Sequence, residues 1–342
     1  MRTLFILFLS VCLATAMQAQ DSRDLYLTKS LSSENIKNVE VTTSGGNITV
    51  EDSDAGQSKV EVYVRSGNGR SLSKEEIKER LEEDYDLEVS VSGSKLIAAA
   101  RSKSNLNWKN SLSISFKIYV PGTISSHLRT SGGSIHLKGL SGNQDFATSG
   151  GSLHLDKLNG SINGRTSGGS IHVFNSGDLL DLRTSGGSIE AGNCRGNITL
   201  ATSGGSIRLD QLEGAVEATT SGGSIDGNSV KGTLLAHTSG GSIELEGISG
   251  SLDASTSGGR VVAELIALGD YVKLSTSAGG IDLSLPSGTG MNLDLRANKI
   301  NTGTLNDFKG TVEEDRIEGQ LGGGGIPVEL RASSGNINLD WK

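Results

Sequence analysis

Apolar and polar positions along this chain alternate with a period of two, and the alternation is nested in a longer period of 18. "TSGGSI" begins at Thr130, Thr166, Thr184, Thr202, Thr220 and Thr238, with "TSGGSL" at Thr148 and "TSGGRV" at Thr256, every start 18 residues after the one before. Numbered from its Thr, each unit carries Ile or Leu at position 6, from Ile135 to Ile243. Position 8 is mostly apolar, from Leu137 to Leu245, and position 11 runs Leu140, Leu158, Cys194, Leu212, Val230 and Ile248. Position 15 is Ile, Leu or Val from Ile162 to Leu252, and position 17 shrinks from Phe146 and Leu182 to Ala254. Apolar residues two apart predict strands with one face turned inward. Nothing in the array recurs at helical spacing.

Two breaks separate the strands of each unit. One is Ser-Gly-Gly at positions 2–4; the other ends in Gly at position 13, from Gly142 to Gly250, with Asp178 in its place once. A single strand–corner–strand–corner unit cannot bury its apolar side, but stacked units can, because position 6 falls on position 6 and position 15 on position 15, about 4.8 Å per coil. One inserted residue would turn a strand's faces round, so a constant period is what a stack requires. The predicted fold class is therefore all-β: a parallel β-solenoid of the β-helix or β-roll kind with 18-residue coils and two main faces. The repeated motif is then a corner. Its Gly pair is expected to allow positive φ and close approach of neighbouring corners, and its Thr and Ser to hydrogen-bond along the stack.

The flanks are less regular. Residues 20–129 read as irregular N-terminal coils with strands such as "VEVTTSGGNITV" (Val39–Val50), interrupted by one short helix at about 73–84. Ser73 and Glu76 form its capping box. Only Ile77 and Leu81 make an apolar stripe, so this helix is expected on the surface, covering an open end or side of the solenoid. Residues 130–275 are the regular repeats. At "TSAGGI" (Thr276) the step lengthens to 20, and 276–342 read as closing coils. With no linker between the segments, 20–342 is expected to be a single elongated domain.

Composition narrows the class. Of 342 residues 35% are hydrophobic and only 4% aromatic, poor material for a thick globular core, while 48 Gly against 3 Pro in strict periods is unlike a disordered segment. Residues 1–19, "MRTLFILFLSVCLATAMQA", read as a signal peptide whose apolar run is too short for a membrane span. No later stretch is long and apolar enough to span. The expected location is exported: periplasm, outer-membrane surface or extracellular. Without the leader, 30 basic residues face 39 acidic ones, a net charge of −9. That balance disfavours nucleic acid and tolerates cationic partners. Cys194 is the one cysteine beyond the leader, so no intrachain disulfide is expected, and at position 11 it reads as buried filler.

Candidate chemistry is sparse. Position 7 points outward and is His136, His154 and His172 in three consecutive units, continuing as Glu190, Arg208, Asp226 and Glu244. Imidazoles one strand spacing apart are a candidate zinc or copper site; a solvated ladder is the bland alternative, and no metal or cofactor is assigned. "GGSIHL" lacks the third Gly and the Asp of calcium-binding β-roll repeats. Ser and His recur too often to mark a unique triad, and no catalytic residue is assigned.

"VEVTTSGGNITV", "SISFKIYVPG" leading into "LRTSGGSIHL", the repeated "TSGGSI" and the closing "LRASSGNINLDW" together resemble the bacterial putative-adhesin family of unknown function, over roughly residues 36–342. The resemblance implies an exported β-solenoid and supplies no catalytic residues. The expected function is a non-enzymatic binding scaffold presenting long flat faces to a surface partner, which would be a polysaccharide, a protein or a cationic peptide. The alternatives are a structural spacer or end-to-end stacking cell-envelope scaffold and, less favoured, a polysaccharide-active β-helix enzyme.

Overall fold

The computed structural model describes residues 24–103 and 111–342; the expected leader and Trp108 lie outside them. Among the described residues the chain is all-β apart from one α-helix and a 3-10 turn at Ala55–Gln57, and its strands join one 29-stranded, solenoid-like sheet. No helix among the described residues is long and apolar enough to cross a membrane.

Within the array, four-residue strands such as Ile135–Lys138 and Leu153–Asp156 alternate with longer ones such as Ser141–Thr148 and Asn159–Thr166. Each pairs in parallel with the strand one unit later, Leu153 beside Ile135 and Ile171, Gly160 beside Gly142. The short strands build one ladder and the long strands a second, with positions 6 and 8 of one facing positions 15 and 17 of the other. All seven position-6 residues are at most 1% exposed. Each such Ile or Leu gains about 1.5–3 kcal/mol by leaving water, and none could do so without the coils on either side. Cys194 is buried among them, and burial pushes its thiol pKa up. At position 11 of the third unit Ser176 stands where the others are apolar; its hydroxyl donates to the Phe174 carbonyl and accepts from the Leu158 amide at 3.0 Å, so it too is satisfied while buried.

The corner differs from the expectation in one respect. The glycines at positions 3 and 4 do not have positive φ; the left-handed residues are at position 13, from Gly142 to Gly250 with Asp178 included, and at position 10, where Lys157, Asn175, Asn193, Gln211 and Ser229 all adopt it. Asp178 offsets its strain by accepting the Gly160 amide at 2.8 Å on its carboxylate. What position 4 requires is closeness. A Cβ on Gly205 would stand 2.1 Å from the carbonyl oxygen of Gly187 one coil back, whereas one on Gly204 would meet nothing nearer than 3.5 Å. The corner Thr explains why the coils come so near. Thr202 Oγ1 donates to that same Gly187 carbonyl at 2.8 Å and accepts the Gly205 amide at 3.3 Å; Thr148, Thr166 and Thr184 repeat both contacts one coil apart. The position-5 Ser hydroxyl accepts the amide of the next position-5 Ser, as Ser134 does from Ser152 at 3.1 Å. Thr and Ser thus bond along the stack as expected.

The ends depart from a wholly parallel coil. The sheet is mixed: Lys59–Ser66 runs antiparallel to Leu112–Val120 and to Leu25–Ser30, and Tyr85–Ser92 antiparallel to Lys95–Ser102. Order in space also differs from order in sequence. The corner after Asn38–Thr43 lies directly under the Thr130 corner, with Lys95–Ser102 and Leu112–Val120 beyond it. At the far end Ile326–Ala332 and Asn336–Trp341 stack on the coil containing Thr276, and the earlier strands Met291–Arg296 and Lys299–Thr302 lie outside them. The residues 276–342 are therefore not closing coils laid down in sequence order: the chain ends one layer in. The 20-residue step is absorbed by three register shifts between Ile243–Thr256 and Val261–Thr276.

The helix spans Lys74–Asp84. Ser73 Oγ accepts the Glu76 amide at 3.1 Å and Glu76 accepts the Ser73 amide at 2.8 Å, the capping box read from sequence. Leu81 is buried and Ile77 packs against the core. The helix passes straight into Tyr85–Ser92, the last strand of one ladder at this end. Lys29, from the last strand of the other ladder, donates to the Val89 carbonyl at 3.0 Å and ties the two together.

Candidate functional site

With inward positions filled by packing and corners by backbone contacts, distinctive chemistry is left to the outward columns. On the short-strand ladder, position 7 forms one column: Thr49, His136, His154, His172, Glu190, Arg208, Asp226 and Glu244 are successive partners. The structure brings the three sequence-predicted histidines together. Their rings stack, His136 on His154 with centroids 4.5 Å apart and 7° between planes, His154 on His172 at 5.2 Å and 5°. The column continues into an acid: His172 Nδ1 lies 3.1 Å from Glu190 Oε2. Glu51, Lys138, Asp156 and Phe174 line the shallow groove beside the rings. As placed, the rings are face to face, and among the described residues no group of three or more His, Cys, Asp or Glu is arranged to enclose a metal ion.

Burial, and secondarily the adjacent ring, holds the His136 and His154 imidazoles below the ordinary histidine pKa. In the unfolded chain the same rings take up protons near pH 6.5. Their contribution to stability is therefore complete above that pH and is lost as the pH falls from there through the lower folded-state value, because the unfolded state binds protons first. The urea midpoint is expected to drop between pH 7.5 and pH 5.5, and to drop less in a His136→Gln/His154→Gln variant. An equal drop in both would refute the assignment.

Further along this face the charge turns negative. Asp210, Asp226, Glu244, Glu246 and Glu264 line an open groove with Arg208 as its one cation. Lys342 pairs with Glu264 at 2.6 Å, but among the described residues Asp226, Glu244 and Glu246 carry no ion pair. The long-strand ladder is balanced instead. Arg129 is paired with Asp145 at 2.6 Å and Arg183 with Asp181 at 2.7 Å, beside the corner serines Ser131, Ser149 and Ser167.

One contact on that second ladder was not foreseen. His237 Nδ1 and Ser255 Oγ are 2.7 Å apart, as facing residues of adjacent strands. No carboxylate orients this ring among the described residues, so the pair lacks the third member of a hydrolytic triad. The 18-residue period places Ser255 beside His237 and could have revealed it.

A family model described as Toastrack DUF4097 matches residues 15–340. Two crystal structures are similar along most of their length. One, described as a "putative cell adhesion protein" from Clostridium sporogenes, is 11% identical over 92% of this chain and 98% of that one, with a TM-score of 0.20. The other, a "putative adhesin" from Bacteroides fragilis, is 13% identical over 94% and 98%, with a TM-score of 0.28. No curated protein matches the chain.

Proposed function

The chain belongs to the Toastrack DUF4097 family, and from that premise we propose that it is an exported, non-enzymatic, adhesin-like scaffold: a parallel solenoid of 18-residue coils that binds a partner on its outward columns. One observation carries the reading. Position 6 is Ile or Leu in all seven units, whereas position 7, its immediate neighbour facing out, runs through His, Glu, Arg and Asp. The repeat fixes what packs and varies what touches. Many weak contacts along such a face sum to useful avidity for an extended polysaccharide, a protein surface or a cationic peptide. Unpaired Asp226, Glu244 and Glu246, with the net charge, favour the cationic partner.

Residues 20–342 applied to paired arrays of glycans and of Lys/Arg-rich peptides should bind the peptides, with affinity reduced at least about tenfold in a Glu244→Lys/Glu246→Lys variant and by raised salt. Equal binding by the variant would refute the acidic-face assignment, and cleavage of a glycan would refute the non-enzymatic reading. A second reading, end-to-end stacking, draws on exposed Leu25, Tyr26 and Leu27 in the edge strand Leu25–Ser30. Sizing the same sample over a concentration series separates the two, since growth into filaments supports stacking and a constant monomer the binding scaffold.

A further inference from the structure

We propose that the His136–His154–His172 column binds one borderline divalent transition ion, zinc or copper(II), between two adjacent imidazoles. This inference does not depend on the scaffold reading above.

The parallel ladder supplies what such a site needs first, a fixed backbone. His154 is in register with His136 on one side and His172 on the other, in strands clamped by hydrogen bonds along the stack. Two nitrogens bound tetrahedrally to zinc at about 2.0–2.1 Å are about 3.3 Å apart. The rings begin with centroids 4.5 and 5.2 Å apart and nearly parallel planes. Turning neighbouring rings toward each other about the terminal torsion of histidine, which is broad, converges one nitrogen of each on a shared ion.

The surroundings suit a cation. Glu190 bonds His172 Nδ1 at 3.1 Å, an arrangement that fixes a metal-binding imidazole's orientation and leaves its Nε2 facing away from the carboxylate. Glu51, Lys138 and Asp156 line the groove beside the rings, with Lys138 in register between the two carboxylates, so two acids face one base there. Competing donors are removed from the column: Cys194 is buried in the core, and the other two histidines, His127 and His237, lie on the opposite ladder, bonded to Asp145 and Ser255.

Calorimetric titration of residues 20–342 with zinc chloride, and separately with copper(II) sulfate followed by electron paramagnetic resonance, tests the proposal. The expected result is one ion per chain, nitrogen hyperfine structure in the copper spectrum, and affinity that falls below pH 6 as protons compete. His154→Ala breaks both adjacent pairs and should weaken binding at least a hundredfold; Glu190→Gln should weaken it about tenfold or more. His127→Ala/His237→Ala should bind like the parent, and His154→Gln, checked by circular dichroism, separates lost ligation from lost folding. No uptake by the parent, or uptake abolished by the His127/His237 variant and kept by His154→Ala, overturns the site.

Discussion

Gly205→Ala is expected to destabilise the protein by at least about 3 kcal/mol or prevent folding, while Gly204→Ala, one residue earlier in the same corner, leaves stability unchanged or raises it by up to about 1 kcal/mol. The two glycines look equivalent in the repeat. Their surroundings are not. A methyl on Gly205 would lie 2.1 Å from the Gly187 oxygen and 2.4 Å from its carbonyl carbon, both backbone atoms that cannot turn aside. Relief would require parting the coils, which would break the Thr202 bond to that oxygen and leave a half-buried carbonyl without it. On Gly204 the nearest atoms are at 3.5 Å, an ordinary contact, and φ is outside the left-handed region. Chemical denaturation of the two variants beside the parent is the measurement; equal costs would show that closeness is not what selects glycine at position 4.

The second large effect is at position 17. Phe146 is fully buried, and its ring occupies the space in front of Gly164 in the next coil, where a Cβ would stand 2.4 Å from Phe146 Cε2 and 2.8 Å from Leu182 Cδ2. Phe146→Ala is expected to cost about 3–5 kcal/mol through the cavity it leaves. Gly164→Ala alone should cost about 1–3 kcal/mol by overpacking. Combining Phe146→Leu with Gly164→Ala should cost less than the two single changes together, because the smaller ring-side partner makes room for the methyl. Strict additivity in a double-mutant cycle would mean that the two coils do not share this space.

What the sequence disclosed follows from where its information is local. Ile or Leu at position 6 of all seven units and the alternation to position 8 reveal the all-β class, the strands and the inward face, because burial repeats in each unit. The Ser73–Glu76 box reveals the helix start, since the whole motif lies within four residues. The corner was half legible. Position 13 shows itself by Gly, but the left-handed residue at position 10 is Gly only at Gly139 and Gly247 and otherwise Lys, Asn, Gln or Ser, with no shared side chain to betray a backbone state imposed by the stack. The terminal layers were not legible at all. Whether Ile326–Ala332 adds outside or inside Met291–Arg296 depends on pairings between distant strands of similar pattern, and alternation alone is indifferent to that choice. For the site, the stacked histidines followed from period 18, whereas the charge imbalance between the two ladders emerges only when Arg129 and Arg183 are seen held by Asp145 and Asp181.

The Thr-lined stack has a mechanical side. Ladder bonds run along the axis on which the strands pile; Leu25–Ser30 is an outermost strand at one extremity, whereas Asn336–Trp341 lies one layer in from Lys299–Thr302 at the other. A pull transmitted through both extremities loads the bonds of one layer at a time instead of sharing the load across many. Each coil that yields releases 18 residues of chain, about 60 Å of length at full extension. Under tension the regular units between 130 and 275 are expected to part in equal steps, and the mixed, register-shifted ends in unequal ones.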